Sequence, residues 1–225
     1  MTLTTCVFDA YGTLFDVSAA ARRAAAEPGM EPLGPVWRDL ATDWRRKQLE
    51  YTWLRAITGH HVDFWQVTLD GLDWAMARQG LSDAAMRARL MALYRALDAY
   101  PEVPALLAEL KARGLRCAIL SNGSPDMLQA AVDHAGIGGA LDAVLSVEEA
   151  GIYKPARAVY DLVGARFGTD PAEVLFVSSN GWDAAGAAAY GFATVWVNRA
   201  GEPEDRLMAR PSHVLPDLSS LPELL

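Results

Sequence analysis

Cys6-Val7-Phe8-Asp9-Ala10-Tyr11-Gly12-Thr13-Leu14-Phe15-Asp16 opens the chain almost at its N-terminus. The apolar run Cys6 to Phe8 has the pattern of a strand buried on both faces. It ends on an acid, and Gly12 then permits a sharp turn. Open α/β sheets gather their chemistry outside the carboxyl ends of the strands. Asp9 is therefore a candidate nucleophile, because a carboxylate can form a covalent ester that water later clears. A strand-end Asp also serves to cap a turn. Alone, the stretch leaves both readings open.

Working outward, residues 16 to 97 carry helical patterns and no strand signal. Ser18 to Glu27 reads as a short helix, broken by Pro28-Gly29 and by Pro32 to Pro35. Pro35 suits the first turn of a second helix that runs to about Thr58. Trp37, Leu40, Trp44, Tyr51 and Leu54 mark its expected apolar stripe. Val62 to Gln79 and Ser82 to Leu97 are two further helices, with Ser82 the expected cap of the latter. Beyond residue 98 the pattern changes to strand–helix alternation. Strands are expected over Arg116–Leu120, Ala143–Ser146, Val174–Val177, Ala193–Val197 and His213–Leu215. Helices are expected over Pro104–Arg113, from Ser124-Pro125-Asp126 onward, and over Ala156–Phe167 and Trp182–Tyr190. Such alternation implies a parallel sheet with helices on both faces. The expected architecture is α/β. A Rossmann-like core of residues 1–15 and 98–225 carries an inserted helical cap domain of residues 16–97.

The 225 residues suit one core plus a sizeable insertion, and a hydrophobic fraction of 52% is ample for a packed interior. No apolar run approaches the roughly 20 residues of a membrane span. The first residues lack a signal-peptide pattern, so a cytoplasmic location is expected. A net charge of −8 argues against nucleic acid as a partner. Cys6 and Cys117, both in expected core strands, read as buried reduced thiols, although sequence alone does not exclude a disulfide. Lysine is scarce, at Lys47, Lys111 and Lys154 only. His60, His61, His134 and His213 show no ligand spacing.

Four loops converge on the carboxyl edge of the expected sheet: Asp9 to Thr13, Ser121-Asn122-Gly123, Lys154 before Pro155, and Ser178 to Asp183. An apolar strand ending in Asp-x-x-Gly-Thr, then Ser-Asn, Lys-Pro and an acidic loop, in that order, resembles the haloacid dehalogenase superfamily. Most members of that superfamily are magnesium-dependent phosphatases. They carry a second acid two residues after the nucleophile, where this chain has Tyr11, and a Gly-Asp-x-x-x-Asp motif. Here that motif is Ser178-Ser179-Asn180-Gly181-Trp182-Asp183, which keeps only the last acid. A hard dication wants several oxygen ligands, preferably carboxylates, so neither a metal nor another cofactor is expected. The opening block, together with Trp44 to Arg55, Ile119 to Pro125, Tyr153-Lys154-Pro155 and Phe176 to Asp183, resembles the L-2-haloacid dehalogenases.

That resemblance implies hydrolysis of short-chain L-2-haloalkanoic acids to D-2-hydroxy acids and halide. Asp9 would attack the α-carbon from behind the halogen, giving an aspartyl ester that water clears. Lys154 would hold Asp9 ionised and in place, with Tyr160 bonded to the same charge cluster. Thr13, Ser178 and Asn180 would form the polar shell of Asp9. Asp183, with Lys154 and Asn180, would position the water. Arg45, Asn122 and Trp182 would cradle the halide, and Ser121 the substrate carboxylate. Tyr11, Leu49, Phe64 and Trp182 would wall the alkyl chain. Arg46 stands where close relatives carry Gln. It either faces the pocket, the reading favoured here, or pairs with Glu50 one turn on. A homodimer is implied, with the long cap helix as its contact. The alternatives are a magnesium-dependent phosphatase of the same superfamily and a non-catalytic interaction protein on this scaffold.

Overall fold

The structure, a computed structural model, describes residues 2–225. The chain divides into two compact units, Met1–Phe15 with Ala99–Leu225, and Asp16–Asp98.

The first unit is built on a six-stranded sheet of β1 (Thr5–Phe8), β2 (Arg116–Ser121), β3 (Ala143–Ser146), β4 (Val174–Ser178), β5 (Ala193–Val197) and β6 (His213–Leu215). The order is β3-β2-β1-β4-β5-β6, and every neighbouring pair is parallel. All four residues of β1 are buried, because strands flank it on both sides. Cys6 lies opposite Cys117 and Leu175 in register. Both thiols are free, and burial pushes them up to about 12 for Cys6 and about 11 for Cys117. They behave as small apolar side chains rather than reactive thiols.

From β1 the later strands run outward in both directions, so the sheet's topological switch point lies at β1, where α/β sheets open a crevice. The turn after β1 is held by local bonds: Thr13, Leu14 and Phe15 all donate backbone N–H to the Ala10 carbonyl. Gly12 takes a positive φ of 92°, which an L side chain would strain. A β-carbon there would also stand 3.0 Å from Ser179 Oγ.

The second unit holds α1 (Ala19–Ala24), α2 (Trp37–Thr58), α3 (Phe64–Arg78) and α4 (Ala84–Arg95); the helices of the first unit follow in the chain as α5 (Val103–Ala112), α6 (Pro125–Ala135), α7 (Arg157–Phe167) and α8 (Gly181–Tyr190). Two starts differ from the expectation. Pro35 precedes α2, which begins at Trp37 after the cap Val36. Asp83, not Ser82, caps α4, accepting from Met86 N–H at 2.9 Å; a carboxylate also suits the positive end of the helix dipole.

The buried face of α2 also differs. Leu40, Asp43, Trp44, Gln48 and Thr52 are buried, whereas Leu54, expected on the stripe, is 51% exposed. The cause is polar packing. Trp44 Nε1 donates to the Thr68 carbonyl at 2.8 Å and Gln48 Nε2 to Thr68 Oγ1 at 3.0 Å. The Tyr94 hydroxyl reaches Gln48 Oε1 at 3.3 Å. With these groups satisfied, a glutamine sits in the interior without the cost of an orphaned amide. Gly71 of α3 lets the two helices close up, since a β-carbon there would meet Trp44 and Gln48 at 3.4 Å.

Candidate active site

Asp9 follows β1 directly, and its N–H donates to the Val177 carbonyl of β4 at 2.9 Å. This backbone bond fixes the start of the side chain. Its two carboxylate oxygens are then held differently. Oδ1 accepts from Lys154 Nζ at 3.1 Å. Oδ2 lies 3.1 Å from Thr13 Oγ1 and accepts from Asn180 Nδ2 at 3.0 Å.

Lys154 is the centre of the cluster. Its ammonium lies 2.8 Å from Asp183 Oδ2 as well as 3.1 Å from Asp9, and its side chain is 1% exposed. The Phe176 ring of β4 lies 4.9 Å from the ammonium, a distance at which the ring quadrupole favours a cation. Burial opposes the charge on Lys154, but the Asp183 and Asp9 carboxylates outweigh it and raise its pKa above the ordinary lysine value. The backbone is fixed too: Lys154 N–H donates to Asn122 Oδ1 at 3.1 Å, and the Lys154–Pro155 peptide is cis. Asn122 thus ties the loop after β2 to the lysine.

Asp183 lies in the first turn of α8 (Gly181–Tyr190) and is fully buried. The Tyr160 hydroxyl, from α7 (Arg157–Phe167), donates to its Oδ1 at 2.8 Å. Burial pushes the Asp183 carboxyl up; the Lys154 ammonium and the Tyr160 hydrogen bond pull it down by less, and Asp9 adds to the rise. Activity that needs ionised Asp183 is then lost, as pH falls, above the ordinary carboxylate range. Tyr160→Phe removes a donor to the charged form. Its acid limb is expected to move to higher pH, with kcat at neutral pH down about tenfold. A pH–rate profile whose acid limb does not move would contradict this. Gly186 of α8 allows the close approach, because a β-carbon there would stand 2.7 Å from both Pro155 Cβ and Tyr160 Oη.

The remaining core residues surround this cluster. Ser178 Oγ accepts from Asn180 N–H at 3.1 Å, so it braces the loop carrying Asn180. Ser121 Oγ accepts from Gly123 N–H at 3.1 Å. Tyr11 is buried, and a β-carbon on Gly123 would strike its ring at 2.7 Å. Trp182 follows Gly181 in the first turn of α8. One participant escaped the sequence reading. Ser179 N–H donates to Thr13 Oγ1 at 2.8 Å, and the two hydroxyl oxygens lie 3.1 Å apart. Ser179 thus orients the hydroxyl that faces Asp9; its only sequence signal was its place in the Ser178–Asp183 loop.

The other expected residues belong to the helical unit. Arg45 and Leu49 lie four apart on α2 and share a face. Phe64 is the first residue of α3 and is buried. Arg46 is 46% exposed at its side chain and lies 3.1 Å from Asp43 and 3.4 Å from Glu50. Its guanidinium also covers the Trp74 ring at 4.9 Å. The i,i+4 partner of the second sequence reading is therefore present, and Arg46 is engaged within its own unit.

The core is thus a parallel α/β sheet with a buried carboxylate–ammonium–carboxylate cluster beside its switch point. The family model of the haloacid dehalogenase-like hydrolases matches residues 3–191. (S)-2-haloacid dehalogenase 1 of Pseudomonas sp. strain CBS-3 is 44% identical over 221 residues, covering 98% of this chain and 95% of that one. The crystal structure of an L-2-haloacid dehalogenase superposes with a TM-score of 0.92 at 43% identity, covering 100% of this chain and 99% of the other. The L-2-haloacid dehalogenase of Xanthobacter autotrophicus with chloropropionic acid covalently bound gives a TM-score of 0.89 at 39% identity, covering 99% and 98%. The chain belongs to the haloacid dehalogenase-like hydrolases and, within them, to the (S)-2-haloacid dehalogenases.

Proposed function

We propose that the protein hydrolyses short-chain L-2-haloalkanoic acids to D-2-hydroxy acids and halide through an ester on Asp9. The observation that carries this reading is the unequal hold on the Asp9 carboxylate. Among the described residues, Oδ1 is held by the Lys154 ammonium alone, while Thr13 and Asn180 both face Oδ2. Oδ1 therefore keeps a lone pair for the α-carbon. The O–C bond forms as the carbon–halogen bond breaks, the halide leaves with the electron pair, and the carbon inverts. Halide is a good leaving group that needs no proton, so Tyr11 in place of a general acid is no handicap.

In the ester, Oδ2 is the carbonyl oxygen. Water adds to the Asp9 side-chain carbonyl carbon, and the developing oxyanion on Oδ2 faces the Thr13 hydroxyl and the Asn180 amide. Asp183, held by Lys154 and Tyr160, positions and polarises that water. Collapse breaks the bond between Oδ1 and the side-chain carbonyl carbon. One water proton passes by way of Asp183 to the departing oxygen and the other is released to solvent. The hydroxy acid thus takes its new oxygen from Asp9, and water's oxygen stays in the carboxylate.

Asn122 and Trp182 of the first unit and Arg45 of the second are proposed to contact the halide, and Ser121 the substrate carboxylate. Tyr11 and Trp182 of the first unit and Leu49 and Phe64 of the second are proposed as apolar contacts of the alkyl chain. A fork of guanidinium donors suits a departing anion. Arg46 would join the substrate contacts by leaving Asp43 and Glu50.

No metal is used in this scheme. Asp9 and Asp183 are already matched to one ammonium, and Tyr11 and Ser179 offer no carboxylate where a dication would need one. The protein is proposed to act in the cytoplasm, in keeping with its two buried thiols. It is proposed to form a homodimer, with the 51% exposed Leu54 and 82% exposed Ile57 of α2 as apolar contacts.

Halide release from separate L- and D-2-chloropropionate, with a chelator present, tests the scheme. Release from the L form alone is expected. Hydrolysis of an aryl phosphate that requires magnesium, with no halide release, would replace it with the phosphatase reading.

A further inference from the structure

The end of β5 reaches both loops that meet at Asp9. Trp196, 6% exposed, donates its indole Nε1–H to the Ser179 carbonyl at 3.1 Å. Three residues on, Arg199 Nη2 donates to the Thr13 carbonyl at 3.1 Å. These carbonyls belong to the two residues whose hydroxyls pair beside Asp9. Arg199 is itself held from behind. Its guanidinium stacks over the Tyr100 ring at 3.6 Å and lies 2.8 Å from Glu102 Oε1, an ion contact with both side chains about one-fifth exposed. Tyr100 is fastened to the same turn, donating its N–H to the Leu14 carbonyl at 2.9 Å.

We infer that Trp196 and Arg199 are positioning residues that clamp Ser179 against Thr13 and thereby set the direction of the Thr13 hydroxyl toward Asp9. Their bonds to this turn end on backbone carbonyls, so the effect passes through the main chain rather than through the Asp9 carboxylate. Arginine suits this role because its planar guanidinium can stack on Tyr100 while Nη2 donates to the Thr13 carbonyl and lies beside Glu102 Oε1. Lysine in its place has a point charge and no plane to stack, so it can keep the polar contacts but loses the one to Tyr100. A displacement of about 1 Å at a nucleophile's support costs rate well out of proportion to its size.

The inference rests on the dehalogenase reading, and single-turnover halide release from L-2-chloropropionate separates the two. Its rate constant reports geometry at Asp9, and its amplitude reports the fraction of folded, active enzyme. Arg199→Met is expected to lower the rate constant about tenfold with an amplitude near wild type. Arg199→Lys should recover part of that loss, and KM should change less than kcat. Trp196→Phe keeps an aromatic ring but removes the donor, and is expected to cost about threefold in the same constant. It keeps the test decisive should Arg199→Met fold poorly. Wild-type rate constants in Arg199→Lys and Trp196→Phe, whatever their amplitudes, would overturn the inference and leave only a stabilising role. Absence of halide release from the wild type would instead overturn the reaction itself.

Discussion

Asp9→Ala is expected to lower halide release from L-2-chloropropionate by about ten-thousand-fold or more, to the level of the uncatalysed background. No other carboxylate of the cluster can take its place. Asp183 is the next acid there, but it is fully buried and engaged by Lys154 and Tyr160. Losing a covalent nucleophile removes the route rather than a share of it. The fold should survive, because Lys154 retains its 2.8 Å contact with Asp183. An unchanged melting temperature with no activity is the expected pair of results. Residual turnover above about one-hundredth of wild type would mean that water attacks the α-carbon directly.

Lys154→Met carries the second large effect, on both stability and rate. The substitution roughly keeps side-chain volume but removes the cation that bridges Asp9 and Asp183. Two carboxylates, 9% and 0% exposed at their side chains, would then face one another without compensation. Breaking a buried pair from one side costs about 3–5 kcal/mol. One of the two acids is expected to take up a proton, and either protonation disables a step: attack if it is Asp9, water activation if it is Asp183. Denaturant unfolding should show the lost stability, and activity should fall about a thousandfold or more. A variant as stable and as active as wild type would show that the ammonium organises neither carboxylate.

The sheet was legible because β1 to β6 are short apolar runs separated by turn and helix-start residues, and that pattern is local. The cluster was legible for a different reason. Asp9, Ser121 and Ser178 each stand at or just beyond a strand end, which parallel pairing must bring to one edge, and Lys154 comes from the loop after β3. The face of α2 was not legible. Periodicity put Leu54 on the stripe and left Gln48 off it, whereas the Gln48 amide is buried and satisfied by Thr68 and Tyr94, partners 20 and 46 residues away. The clamp on Thr13 was hidden for the same reason. Trp196 and Arg199 act through carbonyl oxygens, and every residue has one, so no side-chain pattern marks the acceptor. For Arg46 the sequence showed the i,i+4 partner Glu50, while the contacts with Asp43 and with the Trp74 ring of α3 were not foreseen.

The central claim is that Asp9 becomes an ester which water opens at the side-chain carbonyl carbon. One measurement tests it most directly: a single turnover of L-2-chloropropionate with enzyme in excess, run in heavy-oxygen water and followed by mass analysis of both product and protein. The account predicts that the heavy oxygen enters the Asp9-containing peptide while the first-formed hydroxy acid carries ordinary oxygen. Heavy oxygen in the product's hydroxyl group, with an unlabelled Asp9 peptide, would contradict it.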